Sequence, residues 1–113
     1  MLSKSDILNA NDLLYEDVDV PEWNGVVRVR CLTGKERDKL TAAHTANKAT
    51  SLVNFMARFA VLVCCDENMK PLFDESDLEA LGSKNACVLD RIMTVGMRLS
   101  ALTNTDIEDM VKN

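Results

Sequence analysis

Tyr15-Glu16-Asp17-Val18-Asp19-Val20-Pro21-Glu22-Trp23-Asn24-Gly25-Val26-Val27-Arg28-Val29-Arg30-Cys31-Leu32 decides the fold of this chain. Val18 and Val20 alternate with Asp17 and Asp19. Val27, Val29 and Cys31 alternate with Arg28 and Arg30. Alternation with period two is the pattern of a half-buried strand. Asn24-Gly25 between the runs is a strong short hairpin signal, because both residues tolerate positive φ. A two-residue loop at Asn24-Gly25 predicts that Trp23 faces Val26, Val20 faces Val29, Val18 faces Cys31 and Asp19 faces Arg30. Apolar then meets apolar on one face and acid meets base on the other. Pro21 fits this hairpin only where its missing N–H faces an unpaired edge or a bulge.

Outward from the hairpin the pattern turns helical. Upstream, Ser5–Leu13 predicts one or two turns with Ser5 as N-cap, too short to hold without tertiary support. Downstream, Thr33 with Glu36 has the spacing of a capping box and predicts a helix from Gly34 to about Asn47. Thr50 or Ser51 is expected to cap the next helix. There Leu52, Phe55, Met56, Phe59, Leu62 and Val63 recur at helical spacing, and Val53, Ala57, Ala60, Val61 and Cys64 widen the stripe until little polar surface is left. Such a helix lies at the centre of a core or a subunit interface. Asp66–Phe73 reads as a turn: Asp66 and Asn68 resemble the opening of a calcium loop, but Lys70 and Pro71 occupy the next ligand and glycine positions. Asp74 or Ser76 caps a short helix ending at Leu81, with Ser76 and Glu79 as a second capping box and Gly82 as the stop. Ser83 starts a long helix to about Leu102, with Leu89, Ile92, Met93, Gly96 and Leu99 buried. Gly96 in mid-helix predicts close approach of another element. Thr105 with Glu108 predicts a final helix bearing Ile107, Met110 and Val111. The expected fold is α+β, mainly α: one domain over residues 1–113, with an N-terminal hairpin at about 15–32 and a bundle of four to five helices at about 33–112.

The chain has 113 residues, is 47% hydrophobic and carries a net charge of −5. The apolar content argues against global disorder, and the acidic balance disfavours nucleic acid, whose phosphates require clustered Lys and Arg. The longest apolar run, Phe59–Cys65, is far shorter than the ~20 residues of a membrane helix. Together with the lack of a signal-like start, this predicts a soluble protein with no membrane attachment. Charge is unevenly placed. Met1–Glu22 holds one basic and six acidic residues, Trp23–Arg58 seven basic and two acidic, and Phe59–Asn113 five basic and ten acidic. This pattern allows either intramolecular pairing or steering of one copy toward another. Cys31, Cys64, Cys65 and Cys87 show no C-x-x-C spacing and read as buried, reduced thiols.

No chemistry-bearing constellation emerges. Leu32-Thr33-Gly34-Lys35 lacks the upstream glycine of a phosphate loop. The single histidine, His44, has no ligand-type residue at metal spacing beside it and reads as a surface or half-buried residue. No nucleophile–base pair is discernible. No catalytic, metal or cofactor site is expected, and the protein reads as an interaction protein rather than an enzyme. A bare hairpin exposes two edges, which makes Val18, Val20, Val27, Val29, Arg28 and Arg30 candidates for self-association by strand pairing. Phe55, Met56, Phe59, Val63 and Met97 are candidates for an apolar partner surface, since Met suits irregular partners.

Several segments also resemble a known family. These are Ile7-Leu8 with Asn11-Asp12-Leu13, the run Val18-Asp19-Val20-Pro21-Glu22-Trp23-Asn24-Gly25, then Val27-Arg28-Val29-Arg30 and Leu32-Thr33-Gly34-Lys35-Glu36-Arg37-Asp38, and later Asp66-Glu67-Asn68-Met69-Lys70-Pro71-Leu72-Phe73 with Leu78-Glu79-Ala80-Leu81-Gly82. In this order they look like the tail assembly chaperones of long, flexible-tailed bacteriophages. The resemblance implies a homo-oligomer in the host bacterial cytoplasm that coats the tape measure protein, keeps it soluble, helps recruit tail tube protein and is absent from the finished virion. It also implies a longer form made by ribosomal frameshifting. A structural tail or head-completion protein retained in the particle, or a host-directed regulator, are the competing readings.

Overall fold

A computed structural model describes residues 1–46 and 54–112; the side chains of residues 43–46 and 110–112 lie outside that description, as does residue 113. The hairpin forms from β1 (Tyr15–Val20) and β2 (Gly25–Arg30), antiparallel. Its register differs from the expected one: Val20 faces Gly25, Val18 faces Val27, Asp17 faces Arg28 and Tyr15 faces Arg30. The cause is Pro21. In a two-residue loop at Asn24-Gly25, Pro21 falls opposite Arg28 in a hydrogen-bonded pair that needs its missing N–H. Instead Pro21–Trp23 forms a single 3-10 turn, Asn24 N–H donates to the Pro21 carbonyl at 3.0 Å, and Asn24 closes the loop in the left-handed region at φ 57°. The shift is even, so every side chain keeps its expected face. Acid still meets base, as Asp17 with Arg28, joined by two hydrogen bonds of 2.7 and 3.0 Å.

β2 is not an edge. A two-residue strand, β3 (Cys64–Cys65), pairs with it at Arg28 and Val29, giving sheet order β1-β2-β3. Cys64 therefore leaves the helical stripe expected for it.

Helices account for the rest. α1 (Lys4–Leu8) is capped by Ser3 rather than Ser5, with Asp6 completing a capping box. α2 (Gly34–Ala46) begins with the expected box: Glu36 N–H donates to Thr33 Oγ1 at 3.1 Å, and Thr33 N–H to Glu36 Oε1 at 2.9 Å. α3 (Phe55–Val63) follows Asn54. The expected cap at Thr50 or Ser51 and the stripe residues Leu52 and Val53 lie outside the described residues. Asp66 organises the turn at residues 66–70, its Oδ1 accepting from Asn68 and Lys70 N–H. Asp74 caps a 3-10 turn over Glu75–Asp77 that runs into α4 (Leu78–Gly82). Its capping partner is Asp77, so the Ser76–Glu79 box does not form. α5 (Ala86–Leu99) is capped by Asn85, whose side chain accepts from Cys87 N–H at 2.8 Å; Ser83 lies two residues too early. α6 (Asn104–Lys112) starts from a box between Thr103 and Asp106, two residues before the expected pair.

Five α-helices thus follow the hairpin among the described residues, and the fold is α+β, mainly α. One apolar core joins the inner face of the sheet (Val18, Val20, Val29) to α3 (Phe59, Ala60, Val63) and α5 (Val88, Leu89, Ile92). Gly96 provides the close approach that its sequence position suggests: a Cβ there would lie 2.6 Å from the Phe59 ring. Val88 and Met97 join the buried stripe of α5, while Met93 and Leu99 lie at its margin.

Candidate functional site

The ladder pattern fixes which way the hairpin's backbone points. Cys31 N–H donates to the Leu14 carbonyl at 2.9 Å, so residues 16, 18 and 20 of β1 bond to β2. Tyr15, Asp17 and Asp19 turn their N–H and C=O groups outward. The outer side of β1 is the long open edge of the sheet.

The six candidate edge residues are distributed differently from the expectation. Val18, Val20 and Val29 are buried in the core and Val27 is half-buried. Arg28 sits on the opposite face, holding Asp17 and lying 4.0 Å above the Tyr15 ring. Arg30 is 4% exposed; its guanidinium forks onto Glu36 with two bonds of 2.7 Å and also donates to the Cys31 carbonyl. That pair pins β2 to the first turn of α2. Burial alone would raise the Glu36 carboxyl, but the hydrogen bonds from Arg30 and Thr33 outweigh it and hold the group below its usual range. Val27, Arg28, Val29 and Arg30 all belong to the central strand, so the available edge is that of β1 alone.

The candidate apolar surface is also rearranged. Phe55, Phe59, Val63 and Met97 are buried, and of the five only Met56 is half-exposed. A nearly all-apolar helix has become the centre of a core, with the sheet on one side and α5 on the other. The side chains of His44 and Met110 lie outside the described residues.

Acidic residues of the N-terminal segment pair within the chain. Glu16 meets Arg98 at 2.8 Å and Glu22 meets Arg91 at 2.7 Å, fastening the hairpin to α5. The Arg91 guanidinium holds the Glu22 carboxyl down at about 2. Much of the charge pattern is thus used inside the molecule. Cys31, Cys64 and Cys65 are buried free thiols, but Cys87 is exposed, contrary to expectation. Burial pushes the Cys64 thiol up to about 12, so it stays protonated and inert.

The exposed apolar surface lies elsewhere. Among the described residues, Leu2, Ile7, Leu8, Leu14, Val26 and Leu72 are open to water. A groove of about 270 Å³ is lined by Trp23, Phe73, Ala80 and Leu81 and by Asp77 and Lys84. Sequence reading missed these because they follow no helical or strand period; they come together through the hairpin turn and the short α4. No three His, Cys, Asp or Glu side chains among the described residues are grouped to hold a metal ion. No helix among them is long and apolar enough to cross a membrane.

A family model for phage tail assembly chaperones matches residues 6–113. The chain belongs to the phage tail assembly chaperones. Among solved structures it is similar to the bacteriophage HK97 tail assembly chaperone. The TM-score is 0.61 at 21% identity, covering 88% of this chain and 92% of that one. The two chaperones share a fold. No curated protein matches the chain. A surface of grooves and open edges is what a tail assembly chaperone has available for its partners.

Proposed function

We propose that this chaperone binds the tape measure protein in the host cytoplasm, keeps it soluble while tail tube protein assembles around it, and leaves before the virion is complete. It acts without catalysis and as a homo-oligomer, and ribosomal frameshifting yields a longer product beside it. The family match over nearly the whole chain carries this reading. Supporting it, the open β1 edge offers backbone groups for joining copies, and half-exposed Met56 adds an adaptable apolar contact.

Co-expression tests the client. Soluble yield of the tape measure protein rises with the chaperone present; no rise across temperatures and expression levels overturns the reading. Mass spectrometry of purified virions separates a departing chaperone from a retained structural protein. Asp19→Pro tests the edge, since the Asp19 N–H points away from β2 and its loss spares the hairpin ladder.

A further inference from the structure

The N-terminal arm is a folded element with nothing beneath it. Ser3 and Asp6 close both ends of a capping box around α1. Leu2 and Ile7 occupy the positions of a hydrophobic staple, one before the cap and four after it. Yet α1 has no buried residue, and Leu2, Ile7 and Leu8 are 72%, 57% and 72% exposed. A five-residue helix does not hold in water by local interactions alone. Its apolar side chains need a packing surface, and in the fold they remain largely exposed.

The same chain does carry an apolar groove of suitable scale, between the hairpin turn and α4. Trp23, Phe73, Ala80 and Leu81 line it, and of these Ala80 is exposed. One acid and one base, Asp77 and Lys84, also line it. The arm carries the complement, Lys4 and Asp6, around the same turn that presents Ile7 and Leu8. In the fold the arm does not fill its own groove, since Leu2, Ile7 and Leu8 stay exposed. The arm leaves the sheet at Leu14, which pairs with Cys31 at the open end of the hairpin. The groove lies at the turn end, the length of β1 away, ~20 Å for six residues.

We propose that α1 of one copy docks through Leu2, Ile7 and Leu8 into the Trp23–Phe73–Leu81 groove of a second copy. This rests on the homo-oligomer reading above and adds a second contact between copies to that of the β1 edge. Donor and acceptor surfaces differ, so each joined pair retains a free arm and a free groove.

Two chains with Cys87→Ser test it, one bearing Leu8→Cys and the other, differently tagged, Ala80→Cys. Mild oxidation gives a disulfide between the two tags well above a control with Asp90→Cys, and putting both substitutions on one chain gives a ladder of multimers. Cross-linking no greater than the control, or only an intrachain loop, overturns the docking. In sedimentation velocity, Ile7→Asp with Leu8→Asp, or Ala80→Arg alone, weakens self-association at least tenfold at unchanged Tm. If the parent chain associates and these variants associate equally, the arm contact falls and self-association stands. If the parent is monomeric at every concentration, both fall.

Discussion

Replacing Gly96 by Ala measures how tightly α5 lies on α3. The added methyl would sit 2.6 Å from Phe59 Cε1 and 3.4 Å from both Val63 methyls. Carbon atoms in contact prefer ~3.5–4.0 Å, so the Phe59 overlap is about 1 Å. Phe59 and Val63 are fully buried, and the aromatic ring cannot bend away, so helix or ring must move within a packed core. Overpacking of this kind costs about 1–3 kcal/mol. Against it stands the usual helical gain of Ala over Gly, about 0.8–1 kcal/mol. The net expectation is a loss of roughly 1 kcal/mol, a fall in Tm of about 4–8 °C. In a Phe59→Leu background the clashing ring atom is gone, and the same Gly96→Ala change stabilises by up to about 1 kcal/mol. Urea unfolding followed by circular dichroism, with protomer concentration held fixed, gives all four corners of the cycle. Stabilisation of the parent chain by Gly96→Ala, or an identical effect in both backgrounds, refutes the close approach.

Three further outcomes are expected. Arg30→Ala destabilises by about 3 kcal/mol because it strands Glu36 in a partly buried site, whereas Arg28→Ala, at a more exposed pair, costs clearly less; equal losses in urea titration would contradict the difference in burial. Ala101 closes α5 in the left-handed region at φ 56°, with Leu102 N–H reaching back to the Met97 carbonyl, so Ala101→Gly stabilises by about 1 kcal/mol, read as a rise in Tm. The Glu22 carboxyl ordinarily titrates at 4.5 but is held at about 2 in the fold; its contribution is complete above 4.5 and disappears as pH falls toward 2, and Glu22→Gln flattens the stability profile across that window.

The hairpin shows what was legible and what was not. Alternation fixed the faces of Val18, Val20, Val27 and Val29, because side-chain direction depends only on the parity of the register. It could not fix the register itself, which turned on one absent N–H at Pro21. Helix existence was legible from apolar spacing, and the Thr33–Glu36 cap from its chemistry. Asp74 caps as one of the two residues expected, but the boxes at Ser76–Glu79 and Thr105–Glu108 were displaced because Asp74 and Thr103 offer equivalent oxygens two residues earlier. β3 was invisible, since two cysteines inside an apolar run carry no strand period, and with it went the knowledge that β2 is central. The candidate partner surface failed for a related reason: a sequence cannot distinguish an apolar helix waiting for a partner from one already enclosed. The exposed arm and groove depend on what does not cover them, a property with no sequence pattern.

The junction of α3 and β3 has a mechanical consequence. Val63 ends the helix and Cys64 begins the strand, with no intervening loop. A connection of that kind has no slack. Tension along α3 arrives at β2 as shear across the ladder at Arg28 and Val29, rather than as peeling from one end, and Phe59 and Val63 carry the same load sideways into α5. Sheet and helical core are therefore coupled through this junction, and a load applied to one is passed to the other.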